Sequence, residues 1–177
     1  MAEAFSNSLT RAVGIGTTAT GGSISAGAST ITGISTAGIG VSDLVDNQQF
    51  IAGTAVYSIG PGLVTCSRTA TNTAAATNQS VTFLGPTTAY TAGSKSILIG
   101  GTFANNTNNS VNLTVEAYDQ STAVGVAIAS KVPVPYGSSF VISDAGKTVI
   151  ESTDELRVYC DTASAIDVSL SILTGVN

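Results

Sequence analysis

The chain of 177 residues contains no histidine and no tryptophan. Without histidine it lacks the side chain that titrates near neutral pH, and with it the commonest general base and metal ligand. Charge is scarce as well: Lys and Arg total 6, Asp and Glu 11, and the net charge is −5. That balance provides no basic footprint, so no direct nucleic-acid partner is expected. Charged residues make up 10% of the chain, against about 25% in an average soluble domain. The two cysteines, Cys66 and Cys160, fall one in each half and alternate with apolar neighbours. Buried free thiols are expected there rather than a bridge. No apolar run approaches the ~20 residues of a membrane helix, so no membrane partner is expected. The opening MAEAFSNSL has neither the basic start nor the apolar core of a secretory signal, so assembly in a cytoplasm is expected.

Gly, Ala, Ser, Thr and Asn fill the space that charges vacate. A disordered chain could share that bias, but it would lack apolar β-branched residues and carry more charge. Here Val, Ile and Thr recur at alternate positions between turn residues, which predicts an all-β fold. Two readings of the low charge stay open at this level. Either the surface is buried among copies and neighbours, or it is an ordinary Thr/Ser-rich β surface.

Four segments are expected. Residues 1–10 read as an N-terminal arm in which Phe5 and Leu9, at i and i+4, allow one helical turn. Residues 11–85 read as a small β-barrel or β-sandwich module of short strands. Its clearest unit is the hairpin Ala55–Ile59, Gly60-Pro61-Gly62, Leu63–Arg68, where Pro61 fixes φ and the glycines permit positive φ. Residues 86–93 read as a linker. Residues 94–177 read as an antiparallel β-sandwich. In it Val111, Leu113, Val115 and Ala117 alternate with polar residues, as do Leu156, Val158 and Cys160, and Ile166, Val168, Leu170 and Ile172. In Ser96–Asn105 the pattern puts Ile97, Ile99 and Phe103 on one face. Pro133 and Pro135 assign their strand to a sheet edge.

The residues that could carry chemistry do not assemble into a motif. Glu151, Asp154 and Glu155 with Asp144 supply oxygen ligands for a hard cation, but their spacing matches no known loop, and an acidic surface turn is expected. Asp43 and Asp46 could pair as acid and base; a solvated turn is expected. Gly14, Gly16, Gly21 and Gly22 precede no helix pattern and no suitably placed lysine, so they do not form a phosphate loop. The serines have no histidine or evident lysine to activate them. Asn78, Asn105, Asn108 and Asn112 begin Asn-X-Ser/Thr triplets in a chain without a secretion signal. No catalytic, cofactor-binding or metal residue is therefore assigned, no cofactor is expected, and the chain reads as non-enzymatic.

The stretch Ile51-Ala-Gly-Thr-Ala-Val-Tyr-Ser-Ile59, followed by Val64-Thr-Cys-Ser-Arg-Thr-Ala-Thr71, resembles a module of the structural proteins of tailed bacteriophages. Ser42-Asp-Leu-Val45 stands where that module usually has a Gly-x-x-Val lead. The segments SKSILIGGTFANNT, VPVPYGSSFVISDAGKTV and DELRVYCDTASAIDVSLSIL are similar to virion structural proteins of phages infecting marine cyanobacteria. The resemblance implies a virion structural part. The first expectation is a capsid decoration or cement protein that binds the assembled head through its N-terminal module. Its partners would be the major capsid protein or other virion proteins, with self-association into a homo-oligomer. The alternative is a tail, neck or fibre component, with a share in attachment to host-surface glycans. Tyr57, Tyr90, Tyr118, Tyr136 and Tyr159 are the aromatics such attachment could use, and Tyr159 has a strand-face position beside Asp161. The side chains expected to carry assembly are Phe5, Leu9, Arg11, Tyr57 and Arg68.

Overall fold

A first strand, β1 (Ala4–Val13), begins the computed structural model, which describes residues 3–143 and 147–176. There follow β2 (Ile15–Ile24), β3 (Thr30–Thr32), β4 (Leu44–Asp46), β5 (Val56–Gly60), β6 (Leu63–Cys66) and β7 (Ala76–Gly85). Then come β8 (Thr87–Thr91), β9 (Ser96–Asn105), β10 (Val111–Asp119), β11 (Val124–Val134) and β12 (Ser139–Ile142). The last are β13 (Thr148–Ile150), β14 (Glu155–Cys160) and β15 (Ile166–Thr174). Among the described residues there is no helix, and every strand pairing is antiparallel, so the fold is all-β. The chain divides into two units: Met1–Gly14 with Thr87–Asn177, and Ile15–Pro86. The second is an insertion into the first.

The outer unit has a five-stranded sheet, ordered β1-β15-β9-β12 with β13 also on β9, and a four-stranded sheet, ordered β11-β10-β14-β8. The alternating strands explain how the two share one core. Val168, Leu170 and Ile172 of β15 and Leu98 and Phe103 of β9 pack in one cluster with Val111, Leu113 and Val115 of β10 and Leu156 and Val158 of β14. Each such side chain contributes roughly 1.5–3 kcal/mol when fully buried. Phe103 also meets Phe140 of β12, with ring centroids 6.1 Å apart. The strand holding Pro133 lies at the edge of its sheet, as expected.

Two expected segments differ from the structure. The arm is a strand: β1 pairs with β15 from Ala4↔Thr174 to Val13↔Ile166, with a bulge between Thr10 and Val13. A spacing of i and i+4 puts Phe5 and Leu9 on one side of a strand as readily as on one side of a helix. The linker is also a strand, since Thr87–Thr91 pairs with β14, and its Ala89 is buried, as is Ala92 just after it. Alanines serve as core residues there without producing an apolar alternation. The crossings between units therefore fall at 14/15 and 86/87. Gly14 marks the first: its φ is +132°, and a Cβ there would run into the Thr162 carbonyl.

The inserted unit is a six-stranded sheet ordered β4-β7-β2-β3-β6-β5. Ile24, Ile31, Val45, Val56, Val64, Val81 and Phe83 form its core. The hairpin expected around Pro61 is present: Gly60 pairs with Leu63, and Gly62 has φ +66°, the positive φ that a type II turn requires after proline. The closed sheet of the expected barrel is not formed as a ladder. The end strands meet only around the isolated bridge Leu44↔Ala55, where Val45 N donates to the Thr54 carbonyl and Val56 N to the Asp43 carbonyl, both at 2.8 Å.

Val115 is 1% exposed at the centre of β10. Val115→Asp would bury an unpaired carboxylate at a cost of several kcal/mol, on the order of a small domain's whole margin of ~5–15 kcal/mol. The variant is expected to lose the cooperative melting of the outer unit in circular dichroism. Parent-like melting would contradict the facing of β10.

Candidate assembly surface

Because neighbours across an antiparallel ladder share a face, the register defines what the five-stranded sheet shows outward. Ser6, Ser8 and Thr10 stand opposite Ile172, Leu170 and Val168 on the core side. Ser8 Oγ donates to the Ala89 carbonyl at 2.7 Å and Thr10 Oγ1 to the same oxygen at 3.4 Å, so up to the bulge hydroxyls, not apolar groups, face inward, and only Val13 at the strand's end joins the core. Phe5 and Leu9 are thereby turned out, 80% and 74% exposed. Phe5, Leu173, Ile97 and Val149 form one row across four strands. Leu9, Ser169, Thr102 and Val141 form another, and Asn7, Ser171 and Gly100 lie between them. Val141 and Val149 are exposed, Ile97 and Leu173 partly so. Four strand widths of ~4.8 Å by up to ten residues of ~3.3 Å give a face on the order of 600 Å². Each partner buries about 800 Å² in a standard interface.

Charge sits at the two ends of this face: the exposed pair of Lys95 and Glu151 lies beyond Ile97 and Val149, and Arg11 and Asp167 lie at the opposite end. The latter two help line a shallow groove of about 330 Å³ with Leu9, Thr102 and Ser169. Asp167 Oδ1 accepts the Ala12 N–H at 2.9 Å. That bond, more than the nearby Asn106 and Arg11, holds the carboxyl below the ordinary aspartate value.

The five side chains expected to carry assembly thus divide. Phe5, Leu9 and Arg11 lie on one strand of the outer unit. Tyr57 and Arg68 belong to the inserted unit. Tyr57 is exposed at an irregularity of β5, between the pairs Val56↔Cys66 and Ser58↔Thr65. Arg68 Nη1 donates to the Ala52 carbonyl at 3.3 Å. Ile97, Leu173, Val141 and Val149 complete the sheet face without having been expected. The reason in β9 is a bulge: Leu98 pairs with Ile172 and Gly100 with Ser171, leaving Ile99 over. Ile97 therefore faces away from Phe103 rather than with it.

The acidic residues are accounted for locally. Glu151 pairs with Lys95 at 2.9 Å, both exposed, and Glu155 with Arg157 at 2.7 Å. Asp154 Oδ1 accepts the Gln120 N–H at 3.2 Å. Asp144 lies outside the described residues. Among the described residues no three His, Cys, Asp or Glu side chains are grouped to hold a metal ion. Asp43, expected in a solvated turn, is 6% exposed; its Oδ2 accepts the Gly40 N–H at 2.8 Å. Burial raises its carboxyl above the ordinary value, and the Gly40 bond offsets part of that rise. Tyr159, the aromatic weighed for glycan contact, is 1% exposed, and its hydroxyl donates to Glu116 Oε2 at 2.6 Å. Burial raises both groups above their ordinary values. Both cysteines are free and buried, and burial pushes the Cys66 thiol up to about 11. No protein-family model, no curated protein and no solved structure matches the chain.

Two outcomes test this account. Phe5→Ser with Leu9→Ser alters exposed side chains, so the double variant is expected to melt within about 0.5 kcal/mol of the parent. In sedimentation the parent is expected to self-associate and the variant to be monomeric; an equally associated variant would contradict the role of this face. For Asp43, a raised folded pKa means that the folded state binds the proton more tightly than the unfolded chain. Stability is then gained as pH falls through the folded pKa, and the buried charge is a cost at neutral pH. Asp43→Asn keeps the acceptor for Gly40 and removes the charge. It is expected to raise the melting temperature at pH 7 and to flatten the gain on acidification; a lower melting temperature at pH 7 would contradict the assignment.

Proposed function

We propose that this chain is a non-enzymatic structural part of a phage virion, and within it a decoration protein of the capsid. In this reading it is made in the host cytoplasm and joins the assembled head, meeting the major capsid protein or other virion proteins and further copies of itself. The observation that carries the reading is the uncovered sheet face with the row Phe5–Leu173–Ile97–Val149. An exposed apolar row running across four strands of a low-charge protein is the feature of a surface made to be covered. The phage assignment rests on the resemblance of the Ile51–Thr71 stretch and of the strand-and-turn segments after Ser94.

In finer detail, the outer unit is a β-sandwich, and the inserted unit a small barrel completed by the Leu44↔Ala55 bridge. Attachment runs through β1 and its neighbours, with Tyr57 of the inserted unit as a second contact. Closing the inserted sheet would remove free edges that pair indiscriminately.

Quantifying the protein in purified particles by gel densitometry tests the proposal. A decoration protein that repeats with the capsid lattice is expected in hundreds of copies. A dozen or fewer would assign it to the tail, neck or fibre, and absence from particles would overturn the virion reading.

A further inference from the structure

The uncovered sheet face is not the only incomplete part of the outer unit. A groove of about 390 Å³ opens between the β10–β11 hairpin and β13. Its apolar wall is unusual for where it lies. Ala117 of β10 packs against the core and pairs with Val126 of β11, so Val126 is on the core-facing side of its sheet. Val124, two residues away, shares that side. Yet Val126 is 64% exposed and Val124 52%. Across the groove stand Val149 and Ile150 of β13. Among the described residues, therefore, no strand is laid over the core side of the first half of β11. β11 also ends its sheet, so among the described residues no strand pairs with its outer edge.

The rim carries charge of one sign. Asp119, Asp154 and Glu155 all line the groove. Glu155 is paired with Arg157. Asp119 accepts from Ser121 N, Ser121 Oγ and Thr122 N, and Asp154 from Gln120 N. Those bonds orient the two carboxylates without neutralising them. The Ser121 and Thr122 bonds hold the Asp119 carboxyl at about 2, ionised at any working pH. An anionic rim on a chain of net charge −5 disfavours a second copy and favours a cation.

We infer that this groove is a docking site for an extended segment of a partner protein that presents alternating apolar side chains flanked by lysine or arginine. Such a segment would lay its apolar side chains on Val124 and Val126. Its basic side chains would reach Asp119 and Asp154, and its backbone would lie along the edge of β11, as in strand addition to a sheet. The inference is independent of the phage reading, since it uses only this groove.

Fluorescence anisotropy with the full chain tests it. The probe is a dye-labelled, end-capped octapeptide in which valine alternates with threonine and two threonines are replaced by lysine; the control has glutamate at those two positions. The lysine peptide is expected to bind saturably, and the glutamate peptide at least about tenfold more weakly, a difference of about 1.4 kcal/mol. Asp119→Asn with Asp154→Asn keeps the turn acceptors and is expected to abolish the difference between the peptides. Val126→Ser is expected to weaken both peptides at unchanged melting temperature, because Val126 is exposed. Equal binding of the two peptides to the parent would overturn the inference. So would an absence of saturable binding up to about 1 mM, or undiminished binding to Val126→Ser.

Discussion

The ladder between the first and last strands is the constraint on which the rest of the structure depends. β1 and β15 pair from Ala4↔Thr174 to Val13↔Ile166, tying the beginning of the described chain to its end. Closing so long a loop costs only modestly more than closing a short one, because the entropy grows with the logarithm of length. The ladder makes Met1–Gly14 part of the outer unit and everything from Ile15 to Pro86 an excursion from it. Within that excursion the departing and returning segments pair as well, Ile15 opposite Gly85. β1 is held by backbone bonds and by the Ser8 and Thr10 hydroxyls on the Ala89 carbonyl. Before the bulge its inward positions are Ser6, Ser8 and Thr10, so Phe5 and Leu9 are left outside; only Val13, at the strand's end, enters the core.

The outer faces of the two sheets of this unit are finished differently. On the four-stranded sheet, Glu116 lies opposite Arg157 and Tyr118 opposite Glu155. Glu116 receives the Tyr159 hydroxyl, Arg157 binds Glu155, and the Arg157 guanidinium lies 3.3 Å from the centre of the Tyr118 ring. Gly125 makes room for this arrangement, since a Cβ there would collide with the Glu116 carboxylate. These groups satisfy one another and ask little of a neighbour. Among the described residues the outside of the five-stranded sheet has no such network across its middle: it has apolar rows interrupted by hydroxyls, with charges only at its two ends, Lys95 and Glu151 at one and Arg11 and Asp167 at the other. The contrast is the physical basis for proposing the outer face of the five-stranded sheet, and not that of the four-stranded one, as an assembly surface.

What could be read from the sequence follows from how strictly a strand alternates. Ile166–Ile172, Leu156–Cys160 and Val111–Val115 bury large residues at every second position, and their inward faces, the edge strand with Pro133 and the hairpin at Pro61 were all legible. β1 was not, because its inward residues before the bulge are two serines and a threonine, and because the spacing of Phe5 and Leu9 fits helix and strand alike. β8 was hidden by the use of alanine as a core residue. In β9 the bulge at Ile99 reverses the phase of alternation, so Ile97 was assigned to the wrong face. That one extra residue concealed the β9 member of the apolar row. The burial of Asp43 had no signal in its own sequence, since the bridge between Leu44 and Ala55 that encloses it joins segments with no shared pattern. Of the candidate face, Phe5, Leu9 and Arg11 were singled out from the sequence, while their neighbours on β9, β12, β13 and β15 were not.

Amide hydrogen exchange followed residue by residue tests the founding ladder directly. If β1 is an integral strand, its hydrogen-bonded amides between Ala4 and Thr10 exchange at rates within the range of those of β15, in one cooperative opening of the outer unit. Exchange of the β1 amides at the rate of an unstructured peptide, while β15 and β9 stay protected, would make this segment a free arm after all and would contradict the account.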